Sequence, residues 1–235
     1  MIDAAGRKEQ MMGHRGLELL TDPTELASLG MWSEAVYRDL LDVERGALSE
    51  EEFRRRHVHR KAILEIDSTG LTVSSMRLGE IAALGRIMRF QQVCVPTLRH
   101  FDAELVYAFA DNMTVLFETA GQALDAAFAL HRRVAEANTN GQVPHCGIGI
   151  GIGFGFGDVF AIGPNLAMGN EMNMASKLGE DTAEGGETLL TEAAFQAVRE
   201  HPGVRFSAVP ASDLPFPYVR AAELPVGGSP LRATG

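Results

Sequence analysis

The chain has 235 residues, 46% of them hydrophobic, and a formal net charge of −10, so it is long enough to bury a substantial core and matches ordinary globular proteins in composition. The acidic balance argues against nucleic acid as the main partner, because nucleic-acid binding depends on basic patches. No apolar run reaches the roughly 18 residues that a membrane span needs, and the N-terminal residues lack the apolar core of a secretory signal, so a cytoplasmic protein without a membrane span is expected.

The first quarter of the chain is predicted to be a helical lead-in. Residues 1–20 show no periodicity and are expected to be mobile. Residues 21–60 carry two helix starts, "DPTE" from Asp22 and "SEEE" from Ser49, and both have the pattern of a capping box. The basic run "RRRHVHRK" at the end of this region is expected to be a solvated helix face.

The cysteines and histidines do not indicate a zinc site or a disulfide framework. The two cysteines, Cys94 and Cys146, are too few and wrongly spaced for either, so both are expected to be small buried residues. His57 and His59 stand two apart with no third ligand nearby in the sequence, so they are not expected to bind zinc.

From Lys61 the pattern changes to alternating strands and helices. "AILEID" is predicted to be a strand that ends at Asp67, and "STG" forms the turn after it. A long helix is expected from about Ser75 until Pro96 bends or stops it. Its inward face is predicted to carry Leu78, Ile81, Leu84 and Met88.

The remaining elements complete a β-α-β-β-α-β order. "ELVYAFADNMTVLFE" is predicted to be two strands joined at Asp111 and Asn112. After them come a helix at 122–138, a glycine-alternating strand, a helix at 170–181, the strand "ETLLTE", a helix at 193–199 and a strand near "VRFSAVP". We therefore expect an α+β fold with a ferredoxin-like βαββαβ core at 61–210, a helical N-terminal extension and a C-terminal tail at 211–235.

The stretch "GIGIGIGFGFG" from Gly147 to Gly157 is not a dinucleotide-binding loop. Its glycines alternate strictly with Ile and Phe, whereas the dinucleotide fingerprint needs glycines at i, i+2 and i+5. The two-residue period predicts a strand with one apolar face and one face of bare backbone. A helix, a ligand or another chain is expected to lie close against the bare face, and tight packing of the 170–181 helix alone would also explain it.

Two aspartates are candidates for a metal site. Asp67 ends the first predicted strand and Asp111 lies at the predicted hairpin, and these strands are neighbours in a ferredoxin-like sheet. Two carboxylates at one sheet edge suit Mg²⁺ or Mn²⁺, which need only one or two carboxylates besides substrate phosphates. The alternative is that Asp67 caps a helix and Asp111 only forms a turn.

Several motifs resemble those of the class III nucleotidyl cyclases, the catalytic domains of adenylate and guanylate cyclases. "LEIDSTGLT" is similar to the first metal-binding strand and turn, "YAFADNMTVLF" to the second metal hairpin, and "GNEMNMASKLGED" to the helix that carries a ribose-binding asparagine. "GGETLLTEAAF" resembles the strand and helix that usually follow. The likeness covers about residues 61–210 and implies a palm-type cyclase core with phosphorus–oxygen lyase activity.

The resemblance also implies a set of site residues. Asp67 and Asp111 would hold two Mg²⁺ or Mn²⁺ ions, with the backbone carbonyl of Ser68 as a further ligand. Asn173 matches the asparagine that orients the ribose for attack of its 3′-oxygen on the α-phosphate. Lys177 stands where the family has the arginine that stabilises the transition state. A lysine keeps the positive charge but lacks the planar guanidinium that can bind two phosphate oxygens at once. The family's sites form between two protomers, with metals from one and base, ribose and transition-state groups from the other, so a homodimer is implied.

Two further positions depart from the purine cyclases. Tyr107 replaces the lysine that reads adenine, and Leu166 replaces the Asp or Thr that helps to read the base. A phenol and a leucine make the pocket narrower and less able to read a purine edge. The site thus resembles that of the pyrimidine cyclases of bacterial anti-phage (Pycsar-type) signalling, in which UTP or CTP is the substrate. Uracil is expected to meet Tyr107 and an amide such as Asn165 or Asn170.

Two alternatives remain open from the sequence. One is an adenylate or guanylate cyclase with an atypical base pocket. The other is a degenerate cyclase fold that no longer turns over and serves as a dimerising or nucleotide-sensing module. The altered positions Tyr107, Leu166 and Lys177 favour the second alternative, whereas the retained Asp67, Asp111 and Asn173 count against it. A diguanylate cyclase is set aside, because it would carry its acidic signature at the central hairpin, where this chain reads "FADNM".

Overall fold

A computed structural model describes residues 19–70, 76, 79–141, 148–163, 166–209 and 214–225. The chain divides into two compact units near residue 57. The described part of the smaller unit runs to Arg56 and includes Ile162 and Gly163, and the larger unit contains the other described residues. Within the described ranges, none of the helices combines the length and the hydropathy that a membrane-spanning segment requires.

The smaller unit contains the three helices of the predicted lead-in. They are α1 (Pro23–Leu29), α2 (Glu34–Glu44) and α3 (Glu50–His57). Asp22 caps α1 by accepting a hydrogen bond from the Glu25 amide, and the Ser49 hydroxyl accepts one from the Glu52 amide at the start of α3. Both predicted helix starts are therefore confirmed. The basic run is not one helix face, because α3 ends at His57 and the next residue begins a strand.

The larger unit is built on one sheet. Its strands are β1 (Val58–Thr69), β2 (Leu105–Phe109), β3 (Asn112–Phe117), β4 (Gly149–Gly163), β5 (Leu166–Met168), β6 (Thr188–Thr191), β7 (Val204–Ala208) and β8 (Tyr218–Glu223). The order across the eight-stranded sheet of the described residues is β2-β3-β1-β4-β6-β8-β7, and β5 pairs with β4. The pair β4–β6 is parallel, whereas β1 is antiparallel to both β3 and β4. The order β2-β3-β1-β4 is that of a ferredoxin-like core, so the predicted α+β fold is confirmed.

Helices cover both faces of this sheet. They are α4 (Glu80–His100), α5 (Ala120–Thr139), α6 (Asn170–Asp181) and α7 (Glu192–Val198). The main core lies on the side of α4 and α5, where Leu64 and Ile66 of β1 pack among Phe90, Leu98 and Leu124. A smaller core on the opposite face joins Ile63 and Leu116 to Ala175 of α6. Residues alternate between these two faces along each strand.

The prediction of which face of α4 is buried is wrong. Ile81, Leu84 and Met88 are 82%, 62% and 49% exposed, and Leu78 lies outside the described residues. The buried face instead carries Ala83, Phe90, Val93, Cys94 and Leu98. The apolar residues of the first helical turns lie on more than one side, so their spacing alone does not identify the side that meets the sheet. The helix also continues through Pro96 to His100 instead of stopping there.

Two strands were not predicted. β5 contains Leu166, and β8 lies within the segment expected to be a tail, where it pairs between β6 and β7. Cys94 is buried as expected, and Cys146 falls outside the described residues. Residues 1–18, predicted to be mobile, also lie outside them.

Candidate active site

The end of β1 and the β2–β3 hairpin bring Asp67 and Asp111 together. Asp67 is paired in register with Asn112, the first residue of β3. The Ser68 amide donates a hydrogen bond of 2.9 Å to the carbonyl oxygen of Asp111. Ala110 and Asp111 form the turn between the strands, and Ala110 has a φ of 51°, a left-handed conformation that suits a tight hairpin. The two acidic side chains therefore belong to directly adjacent backbone segments.

The electrostatics of this edge favour a bound cation. Burial and, to a smaller extent, the negative charges of Asp111 and Glu180 together raise the pKa of Asp67 to about 6. Burial and the neighbouring Asp181 likewise raise the pKa of Glu180 near the end of α6. The charged form of Asp67 is thus disfavoured by its surroundings. A divalent cation between Asp67 and Asp111 would relieve this repulsion.

The available ligands fit Mg²⁺ or Mn²⁺ better than zinc. The two carboxylates are hard oxygen ligands. Because the amide and carbonyl of one residue in an antiparallel strand point the same way, the Ser68 carbonyl also points toward the hairpin. Among the described residues, no group of three or more His, Cys, Asp or Glu side chains is arranged to hold a metal. Substrate phosphates would therefore have to complete the coordination of any ion held here.

Glu65 is a buried carboxyl that the sequence analysis did not single out. It is only 2% exposed and lies two residues before Asp67 on the same face of β1. The Thr114 hydroxyl donates a hydrogen bond of 2.9 Å to its Oε2, while its Oε1 has no partner within the described part of the chain. Burial raises the pKa of Glu65 to about 8. A single acidic residue inside the apolar strand "AILEID" was the signal that could have identified it.

Arg86 of α4 lies beside Thr69 and Gly70 at the end of β1. Its Nη2 donates a hydrogen bond of 2.6 Å to the carbonyl oxygen of Thr69, the last residue of β1. The guanidinium therefore fixes the end of the strand that carries Asp67 and Ser68. The sequence analysis missed this residue because the contact joins positions that are 17 residues apart.

The helix α6 lies against the bare face of the glycine strand. A Cβ added at Gly155 would stand 2.8 Å from the Glu171 carbonyl oxygen, and one added at Gly153 would overlap the carbonyl oxygen of Ala175. The Glu171 carboxylate accepts a 2.7 Å hydrogen bond from the Thr191 hydroxyl, which ties the start of α6 to the neighbouring strand. The expected close neighbour of the glycines is thus this helix.

The exposed side of α6 carries the three polar residues singled out from the sequence. Asn170, Asn173 and Lys177 are all exposed, and their spacing places them along one side of the helix. The Lys177 ammonium is hydrogen-bonded to Asp181, which raises the pKa of Lys177. Within one chain these residues form a second group, separate in sequence and in element from the aspartates of β1 and the hairpin.

The positions expected to read the base lie on two different elements. Tyr107 is on β2, where its ring lies nearly parallel to that of Phe109, with 6.3 Å between ring centroids and 7° between ring planes. Leu166 begins β5 and is half-buried. Asn165 lies outside the described residues.

Solved structures that resemble the chain are nucleotidyl cyclase domains, although no protein-family model and no curated protein matches it. The guanylate cyclase domain of RhGC from Catenaria anguillulae, in complex with GTP, is 15% identical with a TM-score of 0.60, and the match covers 72% of this chain and 98% of that one. The adenylyl cyclase CyaB from P. aeruginosa is 18% identical with a TM-score of 0.58, over 72% and 97% of the two chains. The adenylate/guanylate cyclase/hydrolase from Silicibacter pomeroyi is 20% identical with a TM-score of 0.58, over 72% and 98%.

The chain has the nucleotidyl cyclase fold. The likeness covers 97–98% of the length of each of these three chains. Within that fold, the adjacent aspartates occupy the end of β1 and the β2–β3 turn. The N-terminal helices α1 to α3 precede the first strand of this sheet.

Proposed function

We propose that the protein is a divalent-metal-dependent nucleotidyl cyclase that converts a pyrimidine nucleoside triphosphate, UTP or CTP, to a 3′,5′-cyclic nucleotide and pyrophosphate. The observation that carries this proposal is the adjacency of Asp67 and Asp111 at one edge of a cyclase fold, with their charges in mutual repulsion. The Pycsar-type resemblance extends the proposal to a role in anti-phage signalling.

The proposed reaction is an internal displacement at phosphorus. The 3′-oxygen of the ribose forms a bond to the α-phosphorus and gives up its proton to solvent water, while the bond from that phosphorus to the bridging oxygen breaks and pyrophosphate leaves with the electron pair. Two Mg²⁺ or Mn²⁺ ions, held by Asp67, Asp111 and the Ser68 carbonyl, would activate the attacking oxygen and neutralise the leaving group.

The polar side of α6 would position the substrate from a second subunit. Asn173 would orient the ribose, so that its 3′-oxygen lies in line with the bond that breaks. Lys177 would stabilise the charge that develops on the α-phosphate, after exchanging its present partner Asp181 for phosphate oxygens. Such a composite site requires a homodimer in which α6 of one subunit faces the aspartates of the other.

The preference for a pyrimidine is supported by the side chains at the two base-reading positions. Tyr107 offers one hydroxyl in place of an ammonium, and Leu166 offers no hydrogen bond. A site that leaves the polar edge of a purine unpaired disfavours that purine. Asn170, exposed at the start of α6, is the amide proposed to complete the recognition of the base.

The test is to incubate the purified protein with each of the four ribonucleoside triphosphates and Mn²⁺ and to identify cyclic products by mass spectrometry. Cyclic UMP or cyclic CMP is expected. Cyclic AMP or cyclic GMP alone would overturn the pyrimidine preference and leave a purine cyclase. A wild-type protein no more active than Asp67→Asn would indicate a non-catalytic module.

Matched variants separate metal binding from folding. Asp67→Asn and Asp111→Asn should lower turnover by at least about 100-fold, because each removes a charge that holds the ions. Mn²⁺ should raise the melting temperature of the wild type but not that of either variant. Asp102→Asn is the control, because Asp102 lies in an exposed turn at a φ of 55° that asparagine tolerates. Equal Mn²⁺ stabilisation in all four proteins would refute the assigned metal site.

A further inference from the structure

The groove between α4 and α5 contains a cavity of about 360 Å³ that takes no part in the proposed reaction. Pro96, Thr97 and Phe101 border it on the side of α4, and Ala129, Arg132 and Arg133 border it on the side of α5. We call it the α4–α5 cavity. Cavities that hold small ligands have volumes of about 300–1,000 Å³ and combine apolar walls with a few polar groups. The α4–α5 cavity therefore has the size of a small-molecule site.

The α4–α5 cavity is separate from the candidate active site. Both helices pack on the main core, whereas Asp67 points to the opposite face of the sheet, because its neighbour Ile66 belongs to that core. After α4 the chain enters β2 at Leu105, which pairs with Leu116 at the end of the β2–β3 pair that is remote from Asp111. A ligand in this cavity would thus occupy a second site, on the other side of the sheet from the aspartates.

The walls of the α4–α5 cavity are largely apolar. Phe101 is half-buried beside it, and the ring of His100, which also lines the cavity, meets the Phe101 ring edge-on, with 5.5 Å between centroids and 89° between planes. Pro96 cannot donate a helical hydrogen bond, which loosens α4 at the turn that borders the cavity. Ala129 carries only a methyl group, so it leaves the space that a larger side chain would fill. These surfaces suit a flat apolar group such as one aromatic ring.

The polar groups of the α4–α5 cavity favour an anion. Arg132 and Arg133 are adjacent on α5 and both line it. Arg132 forms an ion pair with Glu223, and Nη1 of Arg133 is 3.7 Å from Oε2 of Glu136, which also lines the cavity. That distance exceeds a hydrogen bond, and the Glu136 side chain is 65% exposed, so a ligand carboxylate can replace Glu136 and leave it in water. A guanidinium can then donate two parallel hydrogen bonds to the ligand.

We propose that the α4–α5 cavity binds a small aromatic carboxylate, with its ring against Phe101 and its carboxylate on Arg133. The protein has a net charge of −10, so the two adjacent arginines distinguish this place from a surface that otherwise repels anions. The inference does not depend on the proposed function, because its residues belong neither to the metal site nor to the polar side of α6.

The first experiment measures binding to the full chain by calorimetry. Phenylacetate is the probe, and it is compared with phenylacetamide, which is neutral, with phenethylamine, which is cationic, and with acetate, which has no ring. Phenylacetate should bind at least about ten-fold more tightly than each of the other three, because it alone supplies both the ring and the anion. Equal affinity for any of the other three, or no binding of phenylacetate at millimolar concentration, would overturn the proposal.

Variants then place the probe in the cavity. Arg133→Gln removes the cation and Ala129→Leu fills the space, so each should weaken phenylacetate binding by about ten-fold or more. Arg199→Gln, at an exposed arginine after α7, is the matched control and should bind like the wild type. Undiminished binding in Arg133→Gln would overturn the proposal even if Ala129→Leu fails to fold.

A last variant separates this site from the proposed function. Asp67→Asn should bind phenylacetate with wild-type affinity, because Asp67 lies on the opposite face of the sheet. A loss of phenylacetate binding in Asp67→Asn would place the probe at the metal site and overturn the proposal. A wild-type protein without cyclase activity would refute the proposed function, whereas phenylacetate binding would still test the cavity.

Discussion

At the scale of single residues, His131 shows how the fold controls a charge away from the candidate site. It lies on α5, and its Nε2 is 2.9 Å from the Thr188 hydroxyl of β6. Burial lowers the pKa of His131 to about 4, although a hydrogen bond with the Glu187 backbone and the charge of Glu223 act in the opposite direction. Between about pH 4 and pH 6.5, the folded protein therefore keeps this imidazole neutral, whereas the imidazole of an unfolded chain would be protonated.

The pKa of His131 predicts a loss of stability in acid. Because the folded pKa is below the unfolded value near 6.5, the unfolded chain binds the proton first, and stability falls as the pH drops from about 6.5 to 4. The loss should reach roughly 2–3 kcal/mol, from the size of the shift. Urea titrations of the wild type and His131→Gln at several pH values would measure it, with His100→Gln, an exposed histidine, as the control. Parallel pH profiles of wild type and His131→Gln would contradict this account.

Residues of the candidate site differed in how far the sequence revealed them. Asp67 and Asp111 could be found because each stands at a strand end or a turn, where the pattern itself marks the place. Arg86 could not, because its significance lies in a contact between distant segments. Glu65 was visible as a charge in an apolar strand, but only the packing shows that it is buried.

At the scale of elements, the contact between α6 and β4 depends on the absence of side chains. Gly153→Ala should lower the free energy of unfolding by about 1–3 kcal/mol. The added methyl group would overlap the carbonyl oxygen of Ala175, and neither backbone segment can move away easily. Gly85→Ala is the matched control: it lies inside α4 with nothing within 4 Å of its added Cβ, so it should be neutral or slightly stabilising. Denaturant unfolding of both variants measures the difference. A Gly153→Ala protein as stable as Gly85→Ala would refute the close packing.

Elements with strong local signals were predicted well, and those that depend on their surroundings were not. The bounds predicted for α6 coincide with Asn170–Asp181, since an asparagine-led polar start and a regular apolar spacing mark it. The buried side of α4 was assigned wrongly, because the spacing of Ile81, Leu84 and Met88 satisfies a helix without showing which side meets the sheet. Pro96 lies inside α4, because surrounding packing outweighed the local preference to stop.

At the scale of the whole molecule, the last strand along the described chain, β8, is inserted inside the sheet and not at its edge. β8 lies between β6 and β7, and its Tyr218, Val219 and Ala221 are buried. The ferredoxin-like half of the sheet could be predicted from the order of its elements. β8 could not, because "YVRAAE" is short and follows a proline-containing stretch, and its register partners are 11 to 33 residues away in sequence.

A truncation tests the role of β8 in the fold. A chain that ends after residue 213 lacks β8, so β6 and β7 lose the strand that joins them and their backbone groups lose their partners. We expect this chain to be insoluble or to melt at least about 10 °C lower, because a whole buried strand is removed. A chain that ends after residue 225 keeps β8 and is the control. Equal melting temperatures for the two chains would show that β8 is dispensable.

The bare face of β4 has a further consequence for how this protein can change over time. Where helix and strand touch main chain to main chain, α6 has no layer of side chains that could be exchanged to tilt or slide it. Its orientation is thereby frozen, and with it the direction in which Asn173 and Lys177 point. Substitutions on the exposed side of α6 therefore change which chemical groups the helix presents without changing the direction in which it presents them.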